Sequence, residues 1–231
     1  MPPTASGRLQ HQLDTITANT RELVQPERLA ITDNAIHDLL ATGIESLILP
    51  IGSTAPHFAL QDALTKKIVR SEDLLAVGPV IVKFFRGRWC PYCMTELEAW
   101  QQLYPAARER GALLVAISPQ LIRQNDFAVQ HHRLTFPVLT DPGATLATHF
   151  GVAYTVPETM RLHYRSILIN IPFIHGDQGA NTWRLPLPAT FVISPSNTIL
   201  FAEAHADHRV RPDPSDILAV LAALDRVNKL E

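Results

Sequence analysis

Only two cysteines occur in 231 residues, and the chain has neither a block of one charge sign nor a long apolar run. Each scarcity removes a class of protein. Two cysteines separated by two residues cannot form the disulfide framework that staples small secreted domains, so their use in a reducing compartment points to redox or metal chemistry. Twenty Lys and Arg against twenty-two Asp and Glu leave a net charge of −2. No basic stripe is present to follow a phosphate backbone, so neither nucleic acid nor an anionic membrane is expected as a partner. No stretch approaches twenty uninterrupted apolar residues, and residues 1–10 lack a basic flank followed by an apolar core. The expectation is a cytoplasmic protein, neither exported nor membrane-spanning. No glycine loop of the dinucleotide-binding kind opens a helix, so no cofactor is implied. Repeats and low-complexity tracts are also missing.

What is present is 46% hydrophobic residues and 18% charged ones, enough for one sizeable core with an appendage. Leu9, Leu13, Ile16 and Leu23 recur at helical spacing, and after Pro26 so do Ile36, Leu39, Leu40, Ile44 and Leu47. These predict two amphipathic helices. The turn-rich stretch from Pro50 to Pro56 ends that period, which places a helical extension at residues 1–50 and the main domain at 51–231. The β-branched and aromatic run 79–85 predicts a buried central strand, and Met94, Leu97, Trp100, Tyr104 and Ala107 predict a helix after the cysteines. Pro105 should kink that helix before Gly111 closes it. Strands at 113–118 and 136–139 and helices at 126–131 and 144–150 continue the alternation, implying parallel βαβ units. Residues 155–187 interrupt it and read as an insertion beside the cysteines. Strands at 189–193 and 198–201 flank Pro195-Ser196-Asn197 and predict an antiparallel hairpin. A last helix follows, with Asp213 as N-cap, Pro214 at its first position, and Ile217, Val220, Leu221 and Leu224 on its buried face. The fold class is α/β, a mixed central sheet flanked by helices with a helical N-terminal extension.

Candidate chemistry lies in Trp89-Cys90-Pro91-Tyr92-Cys93. A thiol attacks a peroxide or a disulfide as its thiolate, and an ordinary cysteine near ~8.5 is mostly protonated at neutral pH. At the end of a strand and the start of a helix, the Cys90 sulfur would sit over free N–H groups and the positive end of the helix dipole, which lowers that value. Cys93, one turn inward, would be more buried. This spacing assigns attack to Cys90 and resolution to Cys93. Pro91 suits the first helical position, and Trp89 can shield the reactive sulfur. Arg86 and Arg88 are close enough to raise the local potential, although arginines flanking a turn are more often solvated. A zinc site would need two more ligands, and neither a second Cys-x-x-Cys nor a spaced His pair supplies them, so no metal is expected. His163, His175, His205 and His208 are candidate proton carriers that spacing alone does not single out.

These motifs resemble the peroxiredoxin-like branch of the thioredoxin superfamily, the alkyl hydroperoxide reductase/thiol-specific antioxidant group. The resemblance rests on the run from Phe85 to Cys93, on Val115-Ala116-Ile117-Ser118, on Phe136-Pro137-Val138-Leu139-Thr140-Asp141-Pro142 and on Phe150-Gly151-Val152. It implies a thioredoxin-like fold. The run from Leu185 to Ile193 is similar to the strand where thioredoxin-like proteins hold a cis-proline facing the cysteine pair, which implies a cis Pro188 that shapes the groove with Trp89, Pro91, Tyr92, Arg86 and Arg88. The segment from Asp207 to Pro214 is also similar to this branch. The resemblance is incomplete at three places. Lys83 and Gly87 stand where peroxiredoxins usually carry proline and threonine, and Pro188 stands where a peroxide-positioning arginine is usual.

The reading these residues favour is a thiol-dependent peroxidase. Cys90 would reduce a hydroperoxide, pass through sulfenic acid and form a Cys90–Cys93 disulfide, which thioredoxin or a similar dithiol would reopen. A thiol-disulfide oxidoreductase using the same pair is the alternative. A redox-sensing module that docks a partner through its N-terminal helices is a third reading. The amphipathic faces of those helices fit either a homodimer interface or a cover over the protein's own sheet.

Overall fold

The computed structural model describes residues 7–227, and side chains as far as residue 223. Its centre is β3 (Val80–Phe84), flanked by parallel β4 (Leu113–Ser118) and antiparallel β8 (Ala189–Ile193). All three strands are buried along their whole length, which accounts for their near-continuous apolar sequences. Around them lie β1 (Ala59–Asp62), β2 (Ile68–Arg70), β5 (Val138–Thr140) and β9 (Ile199–Ala204), giving the order β2-β1-β5-β4-β3-β8-β9. The β4–β5 pair is parallel, whereas β8–β9 is the antiparallel hairpin the turn residues predict. A seven-stranded mixed sheet results.

Strand alternation sorts the core into two faces. Val80, Val82 and Phe84 pack with Phe150 and Phe191, whose three rings lie 4.8–6.1 Å apart. Ile81 and Phe85 point the other way, toward α4 (Pro91–Glu109), where Leu97 and Trp100 are fully buried. Lys83 has the same parity as Ile81 and Phe85, so the one charged residue of β3 is carried under α4 and left with no exposed surface. The helix passes through Pro105 and ends at Glu109, with Gly111 just beyond at φ +73°.

The N-terminal helices are α1 (Arg8–Leu23) and α2 (Pro26–Ala41). Leu9 and Leu13 of α1 join the core beneath α4. The predicted stripe runs too far at its ends. Leu23 lies on the last turn of α1, past the residues that meet α4, and is 85% exposed; α2 stops at Ala41, so Ile44 and Leu47 sit on a separate 3₁₀ turn, Ile44–Leu47, after Gly43 at φ +71°. At the other end of the chain, α9 (Pro214–Val227) is capped by Asp213, whose Oδ1 accepts from Ser215 N–H at 3.0 Å. The second oxygen of Asp213 accepts from Leu9 N–H at 3.1 Å, which ties the start of α1 to the start of α9. Ile217 and Leu221 are buried as predicted and Val220 is partly covered; the Leu224 side chain lies outside the described residues.

The remaining helices are α3 (Ser71–Leu75), α5 (Ile122–His132), α6 (Thr145–His149), α7 (Glu158–Ser166) and α8 (Ile171–His175). The segment 155–187 is thus ordered around α7 and α8. It ends in β7 (Arg184–Pro186), paired antiparallel with β6 (Ala153–Thr155), and has a small core of its own built on Val156, Met160, Tyr164, Ile171, Trp183 and Leu185. No helix among the described residues is long and apolar enough to cross a membrane.

Because Leu13 is fully buried in the core shared by α1, α4 and the sheet, Leu13→Ala should lower the unfolding free energy by about 2–5 kcal/mol while unfolding stays a single transition. Denaturant melts of reduced protein check this, and a separate early transition would show that α1 is not part of that core.

Candidate active site

β3 ends at Phe84, and the chain turns through Arg86, Gly87 and Arg88 into α4, for which Cys90 is the N-cap. Gly87 has φ +148°, and a Cβ there would lie 2.6 Å from Trp89 Nε1, so glycine is what lets the indole fold back over the turn. The Cys93 and Met94 N–H groups both donate to the Cys90 carbonyl at 3.1 Å. Cys90 thus stands at the helix start as expected, although no cap hydrogen bond reaches its side chain. Both cysteines are free thiols, with Cys90 2% and Cys93 0% exposed. The two thiols are close enough to perturb each other's ionisation, and Cys90 lines a cleft that Cys93 does not reach.

Behind the sulfurs is a buried chain of charges. Lys83 Nζ lies 2.6 Å from Glu96 Oε1 and donates to Thr190 Oγ1 at 3.1 Å. Glu96 Oε2 accepts from Arg211 Nε at 2.8 Å, and Arg211 Nη2 reaches Cys93 Sγ at 3.7 Å. Burial pushes the Lys83 ammonium down, an effect that Glu96 opposes and Arg211 reinforces. Burial also pushes both thiols up. At Cys93 this is outweighed by the hydrogen bond from Cys90 and by the Arg211 and Arg86 guanidiniums, which bring it down to about 6. At Cys90 burial prevails and the thiol is held well above its ordinary range. The pair thus carries one negative charge near neutral pH, held on Cys93.

Arg86, 3% exposed, lies on the cleft side. It donates through Nη2 to the Tyr164 hydroxyl, and its guanidinium sits 4.7 Å from the Trp89 ring centroid and 5.9 Å from that of Tyr164. Trp89 and Tyr164 meet edge to face at 5.2 Å. Tyr92 donates to or accepts from Thr17 Oγ1 at 3.1 Å, tying α1 to the active-site turn, and packs edge-on to His208 at 5.4 Å. Burial, with Arg86 and Arg211 nearby, pushes His208 well below its usual value, so its ring is neutral. Pro91 occupies the first turn of α4 as expected.

Two sequence expectations are corrected. Among the described residues there is no cis peptide bond, so Leu187–Pro188 is trans. The β6–β7 hairpin holds this stretch extended, with Leu187 N–H donating to the Val152 carbonyl at 2.6 Å, and the ordinary trans isomer feeds directly into β8. Pro188 does not line the cleft. Arg88 turns away from the sulfurs toward α5, where its Nε donates to Gln124 Oε1 at 2.6 Å and its guanidinium sits 4.5 Å from the Phe127 ring. It fastens the turn instead of lining the groove. Sequence reasoning missed Glu96 and Tyr164 and gave Lys83 and Arg211 no role. A lysine inside an otherwise apolar strand and a glutamate one turn beyond Cys93 were the available signals.

With this geometry described, comparison with known proteins gives its family. Residues 51–202 match the AhpC/TSA family, and the chain belongs to it. A protein of Bacillus anthracis named thiol-disulfide oxidoreductase ResA is 33% identical over 108 residues, which cover 45% of this chain and 59% of that protein. A Mycobacterium tuberculosis protein named as a peroxiredoxin is 32% identical over 101 residues, 44% of this chain and 65% of its own. The chain thus spans about three fifths of the length of the curated relatives it matches. In fold it is similar to the peroxidoxin BcpB of M. tuberculosis, with TM-score 0.58 and 24% identity over 76% of this chain and 97% of that one. Enterococcus faecalis AhpC gives TM-score 0.59 at 19% identity over 78% and 94%.

If Arg211 holds the shared charge on Cys93, thiolate absorbance of the reduced protein should rise with a midpoint of about 6, and Arg211→Met should move that midpoint up by about 1–3. The linked stability has a definite sign. Between about 6 and the ordinary thiol value of 9.0 the unfolded chain binds the extra proton, so the reduced protein should gain stability as pH rises across that window and lose it as pH falls through 6. A midpoint that the substitution leaves in place would contradict the assignment.

Proposed function

We propose that this AhpC/TSA-family chain is a thiol-dependent peroxidase in which Cys90 attacks and Cys93 resolves. The observation that carries the reading is the division between the sulfurs: Cys90 faces the cleft, while Cys93 lies behind it against the Arg211 guanidinium, which favours its thiolate. The Cys90 proton passes to Cys93, and the resulting Cys90 thiolate attacks the terminal oxygen of a hydroperoxide. The O–O bond breaks, Cys90 becomes sulfenic acid, and the departing alkoxide takes the proton now on Cys93 and leaves as the alcohol. Cys93, again a thiolate, attacks the Cys90 sulfur and releases hydroxide, closing the disulfide. Arg86 beside the cleft favours the anionic species during O–O cleavage. A dithiol such as thioredoxin then reopens the disulfide through a mixed disulfide, with Cys90 as the accessible sulfur.

The similarity to proteins named thiol-disulfide oxidoreductase ResA favours a second reading, in which the same Cys90 attacks a disulfide and no sulfenic acid forms. Rapid mixing of reduced protein with hydrogen peroxide and with cumene hydroperoxide, read by tryptophan fluorescence, separates the two. The expected result is oxidation orders of magnitude faster than that of free cysteine. Cys90→Ser should lower the rate at least about 10³-fold, and Cys93→Ser, which removes both the proton acceptor and the resolving sulfur, should slow the oxidation of Cys90 and stop it at the sulfenic acid. Rates no faster than free cysteine with either peroxide, together with efficient reduction of a protein disulfide, would establish the second reading in its place.

A further inference from the structure

The cleft at Cys90 is far larger than hydrogen peroxide requires. It has two adjoining lobes of about 210 and 170 Å³, which share Thr32, Arg86, Met160, Tyr164 and His208. Hydrogen peroxide is little larger than a water molecule, whose share of liquid volume is about 30 Å³. The walls come from α1, α2, α7 with its flanking segments, and the active-site turn; Leu29, Ile36, Leu39, Val156, Met160 and Ile169 give them apolar surface, and Arg21 and Arg209 lie at the rim.

Arg86 stands between the lobes without a carboxylate partner. Among the described residues no Asp or Glu lies within ion-pairing distance of it, and its buried Nε has no hydrogen-bond partner. Its only recorded side-chain partner is the neutral Tyr164 hydroxyl. Trp89 lies 4.7 Å from the guanidinium and Tyr164 takes one N–H of its edge, which leaves Nε for a further in-plane acceptor. A buried cation is costly unless something of opposite charge approaches it; the charge shared by the cysteine pair acts on Arg86 from one side, but no acceptor meets its Nε. Of the acids lining the lobes, Asp33 is engaged with Arg209 at 2.8 Å, and Asp38 is 79% exposed at the mouth and beyond ion-pairing distance of Arg86. His208 is the other titratable group facing both lobes and adds no negative charge.

We propose that this cleft is a binding site for a monocarboxylate with an apolar chain, its carboxylate on the edge of Arg86 and its chain along α2 and α7. A carboxylate suits the planar fork of a guanidinium, and the apolar walls suit an alkyl chain. Joined to the peroxidase reading, on which this last step rests, the site selects carboxylate-bearing organic hydroperoxides over hydrogen peroxide.

The test is calorimetric titration of the reduced protein with octanoate and with 1-octanol, neither of which reacts with thiols. Octanoate should bind about 10- to 100-fold more tightly than octanol, the range for a hydrogen bond to a charged group, and Arg86→Met should reduce its affinity to that of octanol. Should Arg86→Met fail to fold, Thr32→Phe decides. Thr32 is half-buried, lines both lobes and touches neither sulfur's charge network, so the added ring should block octanoate. Equal affinity for the two ligands, no binding of octanoate at millimolar concentration, or undiminished binding in either folded variant would overturn the site. Octanoate binding without turnover of any hydroperoxide would leave the site standing and remove the peroxidase reading alone.

Discussion

The structure depends on a buried run of charge, Lys83 to Glu96 to Arg211, ending on the sulfur of Cys93. Three ionisable side chains without exposed surface are tolerated only because each has a partner: the Glu96 carboxylate takes one cation on each oxygen. That requirement fixes the register of α4 over β3. It also draws in the segment before α9, because Arg211 must reach the same carboxylate from the far end of the chain. Asp213, two residues on, then caps α9 and receives Leu9 N–H, so the start of α1 is fixed from the same place. Elements from both ends of the sequence thus converge on the cysteine pair.

The arrangement separates charge from access. Cys93 has the donors and guanidiniums that hold a thiolate, yet it lies behind Cys90; Cys90 reaches the cleft, yet burial keeps its proton on. The closeness of the two sulfurs links the two properties. On the proposed mechanism the attacking thiol rests protonated, and its proton passes to the neighbouring sulfur when substrate arrives. Arg86 differs from the other two cations because no carboxylate meets it, and it is also the one that faces the cleft.

Much of the scaffold is legible in the sequence because apolar residues repeat at the period of the element they form. The runs that became β3 and β4 are apolar throughout since both faces are covered, and Asp213-Pro214 announces the start of α9 by cap chemistry. Cys90 and Cys93 are legible from their spacing. What the sequence does not display is pairing across distance. Lys83 and Glu96 read as two unrelated polar residues until strand parity and helix register bring them within 2.6 Å, and Arg211 is 115 positions from the carboxylate it meets. Proximity in sequence misled in the same way: Arg86 and Arg88 flank one glycine, but one enters the cleft and the other turns to α5. Pro188 invited a cis bond by resemblance, whereas the local hairpin holds the chain extended.

The most direct test of the division of labour is to trap the oxidised sulfur itself. Each single variant, Cys93→Ser and Cys90→Ser, is mixed with one equivalent of hydroperoxide in the presence of dimedone, digested and mapped by mass spectrometry alongside the unaltered protein. The account predicts a sulfenic acid adduct on Cys90 in Cys93→Ser, none on Cys93 in Cys90→Ser, and a Cys90–Cys93 disulfide in the unaltered chain. A rapid adduct on Cys93 when Cys90 is replaced would contradict it, and would mean that the sulfur holding the charge is also the sulfur that attacks.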